Sequence, residues 1–125
     1  MKTILLIEDT LSILENLCEY LELEGYRIFV SSTGKDGLEL AIRVNPDLII
    51  CDILMTDMDG TEVFQKLSCN AQTAGIPFIF STSLSENSEK EDALKLGAKA
   101  YLIKPFQMET LMEAIDVTLN SRQHV

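Results

Sequence analysis

Short apolar runs and amphipathic segments alternate along the whole of this chain. Lys2–Ile7, Tyr26–Ser31, Asp47–Asp52, Pro77–Ser81 and Ala100–Ile103 are brief runs centred on Ile, Leu, Val and Phe, which predicts buried strands. Between them the apolar residues recur at helical spacing. Leu14, Leu17, Cys18 and Leu21 follow i, i+3, i+4, i+7, and Gly25 stops that helix. A second helix is expected over about Lys35–Val44, ended by Asn45-Pro46. A third covers Thr61–Cys69 with Val63, Phe64 and Leu67 inward. A fourth lies near Glu86–Leu96, with a Ser88…Glu91 capping-box spacing and Gly97 after it. The last follows Lys104-Pro105 and carries Leu111, Met112, Ile115 and Leu119 on one face. Strict βα alternation implies a parallel sheet with helices on both faces, because parallel strands need right-handed crossovers. At 125 residues the chain has the size of one such domain.

A doubly wound sheet binds its ligand outside the carboxyl ends of the strands. The first strand ends in Glu8 and Asp9, the third in Asp52, the fourth in Ser81, Thr82 and Ser83, and the fifth in Lys104 and Pro105. The second ends in Ser31 and Ser32, which bring no comparable chemistry. Burying a carboxylate at the end of a core strand is costly, so three on one rim point to a task. Packed together they repel one another, and a hard divalent cation relieves the conflict. Mg²⁺ suits such oxygen donors and Mn²⁺ is a possible substitute. A cation, an amine and a hydroxyl around a carboxylate make a site for a phosphoryl group, with the carboxylate as nucleophile.

Twenty acidic residues against ten basic give a net charge of −10, which disfavours direct binding to nucleic acid. Glu15, Glu19 and Glu22 form a solvated helix face. Cys18, Cys51 and Cys69 are odd in number and sit in apolar stretches, as free thiols of a reducing compartment do, and Cys51 reads as a packed core thiol. A zinc site is not expected, since CxxC is missing and the one histidine, His124, lies in the tail. The opening MKTILLI is too short for a signal peptide or membrane span, so a cytoplasmic protein is expected.

Taken in order, Glu8-Asp9, Asp52, MTDMDG at 55–60, Pro77…Ser81-Thr82 and Tyr101…Lys104-Pro105-Phe106 resemble the response-regulator receiver domain of bacterial two-component signalling. The resemblance covers about Lys2 to Leu119, and the expectation is a single receiver domain over 1–125. It implies a flavodoxin-like doubly wound (βα)5 fold with strand order 2-1-3-4-5. It implies Asp52 as phosphoacceptor, with Glu8, Asp9, Asp52 and the backbone carbonyl of Leu54 around Mg²⁺. Lys104 then pairs with the acceptor and later the phosphate, Thr82 is the switch hydroxyl, and Tyr101 is the aromatic that swings inward. The Lys104-Pro105 peptide is cis in the family. The implied partners are a sensor histidine kinase or phosphotransfer protein, and a downstream protein at the face of the fourth helix, fifth strand and fifth helix. Such a chain is no conventional enzyme. It is a phosphoacceptor that catalyses its own phosphorylation and dephosphorylation. With the sequence ending at the fifth helix, output by protein contact is expected, without direct nucleic-acid or membrane binding; the sequence fits equally a receiver cut from a longer regulator or hybrid kinase.

Asp57 and Asp59 read as residues that shape the loop and start the third helix, with Gly60 permitting a backbone bend. DMDGT at 57–61 resembles the DxDGT nucleophile motif of haloacid-dehalogenase-type phosphatases. Those enzymes need a second acidic pair after the lysine, and only 21 residues follow Lys104, without one at a strand end. STGKDG at 32–37 lacks the leading glycine of a P-loop. A receiver-fold binding module that is never phosphorylated is the third class, but acceptor, acids and lysine are all retained here. Two departures from the family pattern stand out: Thr56 where many members have proline, and Ser83 where alanine is commonest. Leu54 and Leu84 occupy the positions that flank the path of an attacking water. Neither side chain can orient water, so both are expected to shield the acyl phosphate and slow its hydrolysis.

Overall fold

Each central strand is apolar on both faces because helices cover both sides of the sheet. The computed structural model describes residues 1–84 and 87–123. The strands are β1 (Thr3–Ile7), β2 (Arg27–Ser31), β3 (Leu48–Cys51), β4 (Phe78–Thr82) and β5 (Ala100–Ile103). The helices are α1 (Leu11–Leu23), α2 (Gly34–Val44), α3 (Gly60–Ser68), α4 (Asn87–Leu96) and α5 (Met108–Gln123). All pairings are parallel and the sheet order is β2-β1-β3-β4-β5. The expected strands and helices are therefore present. The expected start of α4 at Glu86 lies outside the described residues, as does His124.

Period-two alternation splits the core into two layers. Ile4, Leu6, Leu48, Ile50 and Ile79 pack with Leu14, Leu17 and Leu21 of α1 and Leu111, Ile115 and Leu119 of α5. Leu5, Ile7, Ile49, Cys51, Phe78 and Phe80 pack with Ala41, Val63, Phe64, Leu67 and Ala93 of α2, α3 and α4. Phe64, Phe78 and Phe80 form a ring cluster with centroids 4.9 to 5.9 Å apart. Each such side chain contributes about 1.5–3 kcal/mol by leaving water. Cys51 is buried as expected, Cys18 is half-buried, Cys69 is exposed, and all three are free thiols. Gly25 and Gly97 follow α1 and α4 with φ of 97° and 117°, and Asn45 closes α2 at φ 52°. Among the described residues, no helix is long and apolar enough to cross a membrane.

The turn from β3 to α3 departs from the sequence-based expectation in two places. Gly60 does not have a left-handed φ, so it is not needed for a bend. A Cβ there would lie 2.9 Å from the carbonyl carbon of Asp52 and from Cα of Ile53, and closer still to the Asp52 carbonyl oxygen. Glycine is required because two backbone segments touch. Asp59 is the N-cap residue of α3, but its side chain makes no capping hydrogen bond; its backbone carbonyl accepts from Glu62 and Val63. Asp57 serves a different helix. Its carboxylate accepts the N–H groups of Gly34 and Lys35, each at 3.0 Å, and so caps α2 from 23 and 22 residues away. An internal carboxylate thus takes the N–H groups that a phosphate at STGKDG would need.

The Gly34 N–H is the main reason the Asp57 carboxyl sits below the ordinary carboxylate range, with the Lys35 N–H adding to it. A depressed folded-state pKa means stability that is present above the unfolded value near 3.8 and is lost as pH falls through the folded value. Asp57→Ala is expected to cost about 1 kcal/mol at pH 7, the ordinary worth of a helix cap. In denaturant titrations the gap between parent and variant should shrink in strongly acidic buffer. A gap that does not change with pH would show that the carboxylate charge contributes nothing.

Candidate functional site

Parallel strands in register end on one edge, and that edge gathers the polar residues. Ile7 pairs with Cys51, Cys51 with Phe80, and Thr82 with Ile103. The ladder continues one step further. Asp52 N–H donates to the Ile7 carbonyl at 3.0 Å, and Lys104 N–H to the Thr82 carbonyl at 2.7 Å. Glu8, Asp52, Thr82 and Lys104 are therefore fixed by backbone bonds along one rim.

Their side chains converge. Lys104 Nζ lies 2.5 Å from Glu8 Oε1 and 3.1 Å from Asp52 Oδ2. Glu8 and Asp52 are only 3% and 6% exposed, so this ammonium is their main compensation for leaving water. Glu8 Oε2 also accepts the Thr10 N–H at 3.2 Å, and Asp52 Oδ1 the Leu54 N–H at 3.1 Å. Asp9 is half-buried and its Oδ2 accepts the Thr56 N–H at 3.1 Å. Burial pushes the Glu8 carboxyl above its ordinary value, against the opposing pull of Lys104. Burial alone would lower Lys104, but the Glu8 and Asp52 carboxylates outweigh it and hold the amine charged, above its usual value.

Glu8, Asp9 and Asp52 each offer a carboxylate oxygen, and these lie within 4.8 Å of one another. Three carboxylates against one ammonium leave a formal charge of −2. Hard oxygen donors this close, with that residual charge, fit a divalent cation such as Mg²⁺. Leu54 lies on the same turn, with its side chain 46% exposed at the rim.

The rim's hydroxyl and aromatic are joined through a third residue. Thr82 is fully buried and its Oγ1 accepts the Leu84 N–H at 3.3 Å. The Tyr101 hydroxyl donates to the Leu84 carbonyl at 2.9 Å, and its ring packs edge-on against Phe80. Tyr101 is thus already inward here, where the sequence suggested a ring that moves in. Leu84 also packs against the core beside α4, so of the two leucines expected to shield the acceptor only Leu54 stands exposed. Ser83 is exposed. The Lys104-Pro105 peptide is cis.

Sequence reasoning did not find the backbone donors Thr10, Leu54 and Thr56, nor Leu84 as a bridge. Backbone amides carry no residue-type signal. Only at Thr56 was there a clue, since proline there has no N–H. The haloacid-dehalogenase alternative is overturned: Asp57, its would-be nucleophile, is exposed and occupied with α2.

Comparison with known proteins agrees with this geometry. Residues 4–116 match the response regulator receiver domain. Protein PilH of Pseudomonas aeruginosa is 32% identical over 119 residues, which span 95% of this chain and 98% of PilH. The DNA-binding dual master transcriptional regulator RpaA of Synechocystis is 32% identical over all of this chain, which spans 52% of RpaA. Among solved structures, a CheY-like receiver domain protein of Methanospirillum hungatei superposes with a TM-score of 0.91 at 30% identity, covering 99% of this chain and 98% of that one. Chemotaxis protein CheY4 of Vibrio cholerae gives 0.89 at 28% identity, covering 95% and 99%. Sheet order, acidic rim, bridging lysine and these likenesses lead to one conclusion: the chain belongs to the response regulator receiver domain family.

Proposed function

We propose that this chain is a phosphorylation-controlled switch whose acceptor is Asp52. The observation that carries the reading is the Lys104 ammonium held between Glu8 and Asp52, with Asp9 in the same cluster. The donor is a phosphohistidine of a sensor kinase or phosphotransfer protein, or a small phosphoramidate. An Asp52 carboxylate oxygen attacks phosphorus, the P–N bond breaks, and the imidazole leaves with the electron pair. The Leu54 N–H fixes one acceptor oxygen, which limits the carboxylate's rotation before attack. Lys104 loses a carboxylate partner as the acyl phosphate forms and turns to the phosphoryl oxygens. Glu8, Asp9, Asp52 and the Leu54 carbonyl would hold Mg²⁺ or Mn²⁺, which would supply positive charge to the phosphoryl group.

The new dianion then draws the Thr82 hydroxyl away from Leu84, and Tyr101, bonded to the same Leu84, registers the change. Leu94, Leu96 and Ile103 are exposed apolar residues on α4 and β5, which supports output through protein contact on that face. The net charge of −10 supports a role without direct nucleic-acid contact. We read 1–125 as one receiver domain of a cytoplasmic signalling protein that also catalyses its own dephosphorylation.

Phosphoramidate or acetyl phosphate with Mg²⁺ is expected to add one hydroxylamine-labile phosphoryl group. It should be absent in Asp52→Asn and in EDTA. Label that survives hydroxylamine or persists in Asp52→Asn would overturn the assignment, and a protein that never takes label would be a binding module. Thr82→Ala should still be labelled but lose the phosphate-induced NMR shifts at Leu84 and Tyr101. Undiminished shifts would move the switch elsewhere. Leu54→Asn should speed hydrolysis of the phosphoprotein about tenfold, roughly 1.4 kcal/mol of barrier, by replacing an apolar shield with a group that can orient water. An unchanged decay rate would remove the shielding argument.

A further inference from the structure

Asp9 is held differently from its two neighbours. Glu8 and Asp52 are buried and share Lys104, whereas Asp9 is half-buried and, among the described residues, forms no ion pair with a lysine or arginine. Its carboxylate nevertheless stays within 4.8 Å of the Glu8 and Asp52 oxygens. What holds it over the rim is the Thr56 N–H on Oδ2. A proline at 56 has no such proton. The following residue, Asp57, is anchored on the Gly34 and Lys35 N–H groups of α2. Consecutive residues thus grip the β1–α1 turn on one side and α2 on the other, which fixes where the Thr56 N–H points.

We propose that Thr56 is a positioning residue for the cation site, acting through its backbone N–H on the Asp9 carboxylate. The inference rests on the cation-assisted reading given above. A carboxylate has about four lone-pair sites, so one oxygen accepts the N–H while the other stays available to a cation. The torsion that turns a carboxylate is broad and nearly two-fold, so little in the side chain itself selects the productive orientation. A hydrogen bond to a charged oxygen is stronger than one between neutral groups, and it selects that orientation before the cation arrives. Thr56 therefore does by hydrogen bonding what a rigid proline cannot do at the same place.

The test is a Mg²⁺ titration followed by amide NMR shifts on the whole chain and its variants. Thr56→Pro, which removes the N–H, should weaken Mg²⁺ binding about tenfold or more, the usual cost of losing a group that orients a metal ligand. Thr56→Ala keeps the N–H and should bind as the parent does. In an Asp9→Asn background, Thr56→Pro should add little, because its effect runs through Asp9. The Gly34 and Lys35 amide signals report whether the turn has stayed in place. If they shift in Thr56→Pro, replacing the residue-56 amide by an ester removes the N–H without a ring and decides the matter by the same tenfold criterion. Parent-like or tighter binding on loss of the N–H, or a loss that persists undiminished in Asp9→Asn, would overturn the proposal. A parent chain that does not bind Mg²⁺ would instead sink the functional reading, and this inference with it.

Discussion

An ammonium shared by two buried carboxylates organises this molecule. Strands in a sheet lie about 4.8 Å apart, and β5 is two steps from β3 and three from β1. Lys104 must therefore reach across the end of β4 to meet Asp52, and further to meet Glu8. That geometry explains the residue types. The reaching group is a long, flexible lysine, the farther acid is the longer glutamate, and the nearer acid is the shorter aspartate. A buried ion pair is poor evidence for stability, because desolvation offsets most of the attraction. Its value here is positional. The ammonium gives both buried carboxylates one shared partner and holds them side by side at the rim, with Asp9 in the same cluster.

The β3–α3 turn gives this charged rim its rigidity. Leu54 N–H bonds back onto Asp52, Thr56 N–H onto Asp9, and Asp57 onto α2. Gly60 N–H closes the turn on the Ile53 carbonyl at 2.9 Å, at a contact too tight for any Cβ. The Cys51 thiol, kept protonated by burial, lies 3.2 Å from the Asp52 carbonyl oxygen. Most of these bonds use backbone N–H groups. They cost little side-chain entropy, and they hold the Asp52 carboxylate in one orientation.

Strand-end chemistry was legible in the sequence because a parallel sheet delivers strand ends to one edge whatever the details. Glu8, Asp9, Asp52 and Lys104 could be grouped on that ground alone. Strand order could not be read from periodicity, since right-handed crossovers permit several orders; it came with the family resemblance. The roles of Asp57 and Gly60 were misjudged, and Leu84 was not seen as a bridge, for a common reason. Each depends on a backbone segment distant in sequence: the start of α2 for Asp57, the Asp52 carbonyl for Gly60, and the Tyr101 hydroxyl for Leu84. Turn propensity and family position describe a residue's own conformation. They say nothing about which distant amide comes to meet it. Thr56 was noticed only as an unusual residue, because what matters there is the presence of a proton that proline lacks.

Leu84 sets the energy scale of the proposed switch. Its N–H is held by Thr82 and its carbonyl by Tyr101, so both switch residues act on one peptide segment. Moving the Thr82 hydroxyl to a phosphoryl oxygen gives up one ordinary hydrogen bond, worth about 1 kcal/mol, and gains one to a charged oxygen, worth about 1.5–3 kcal/mol. The difference is of order 1 kcal/mol, and each 1.4 kcal/mol changes a two-state ratio only tenfold. Tyr101 is bonded inward to the Leu84 carbonyl, so any change at Leu84 bears directly on its hydroxyl. On the proposed reading, a difference of that size biases an equilibrium between two states and does not by itself complete the switch. A switch proposed on this scale needs a second source of free energy, and a ligand that binds one state more tightly than the other would supply it.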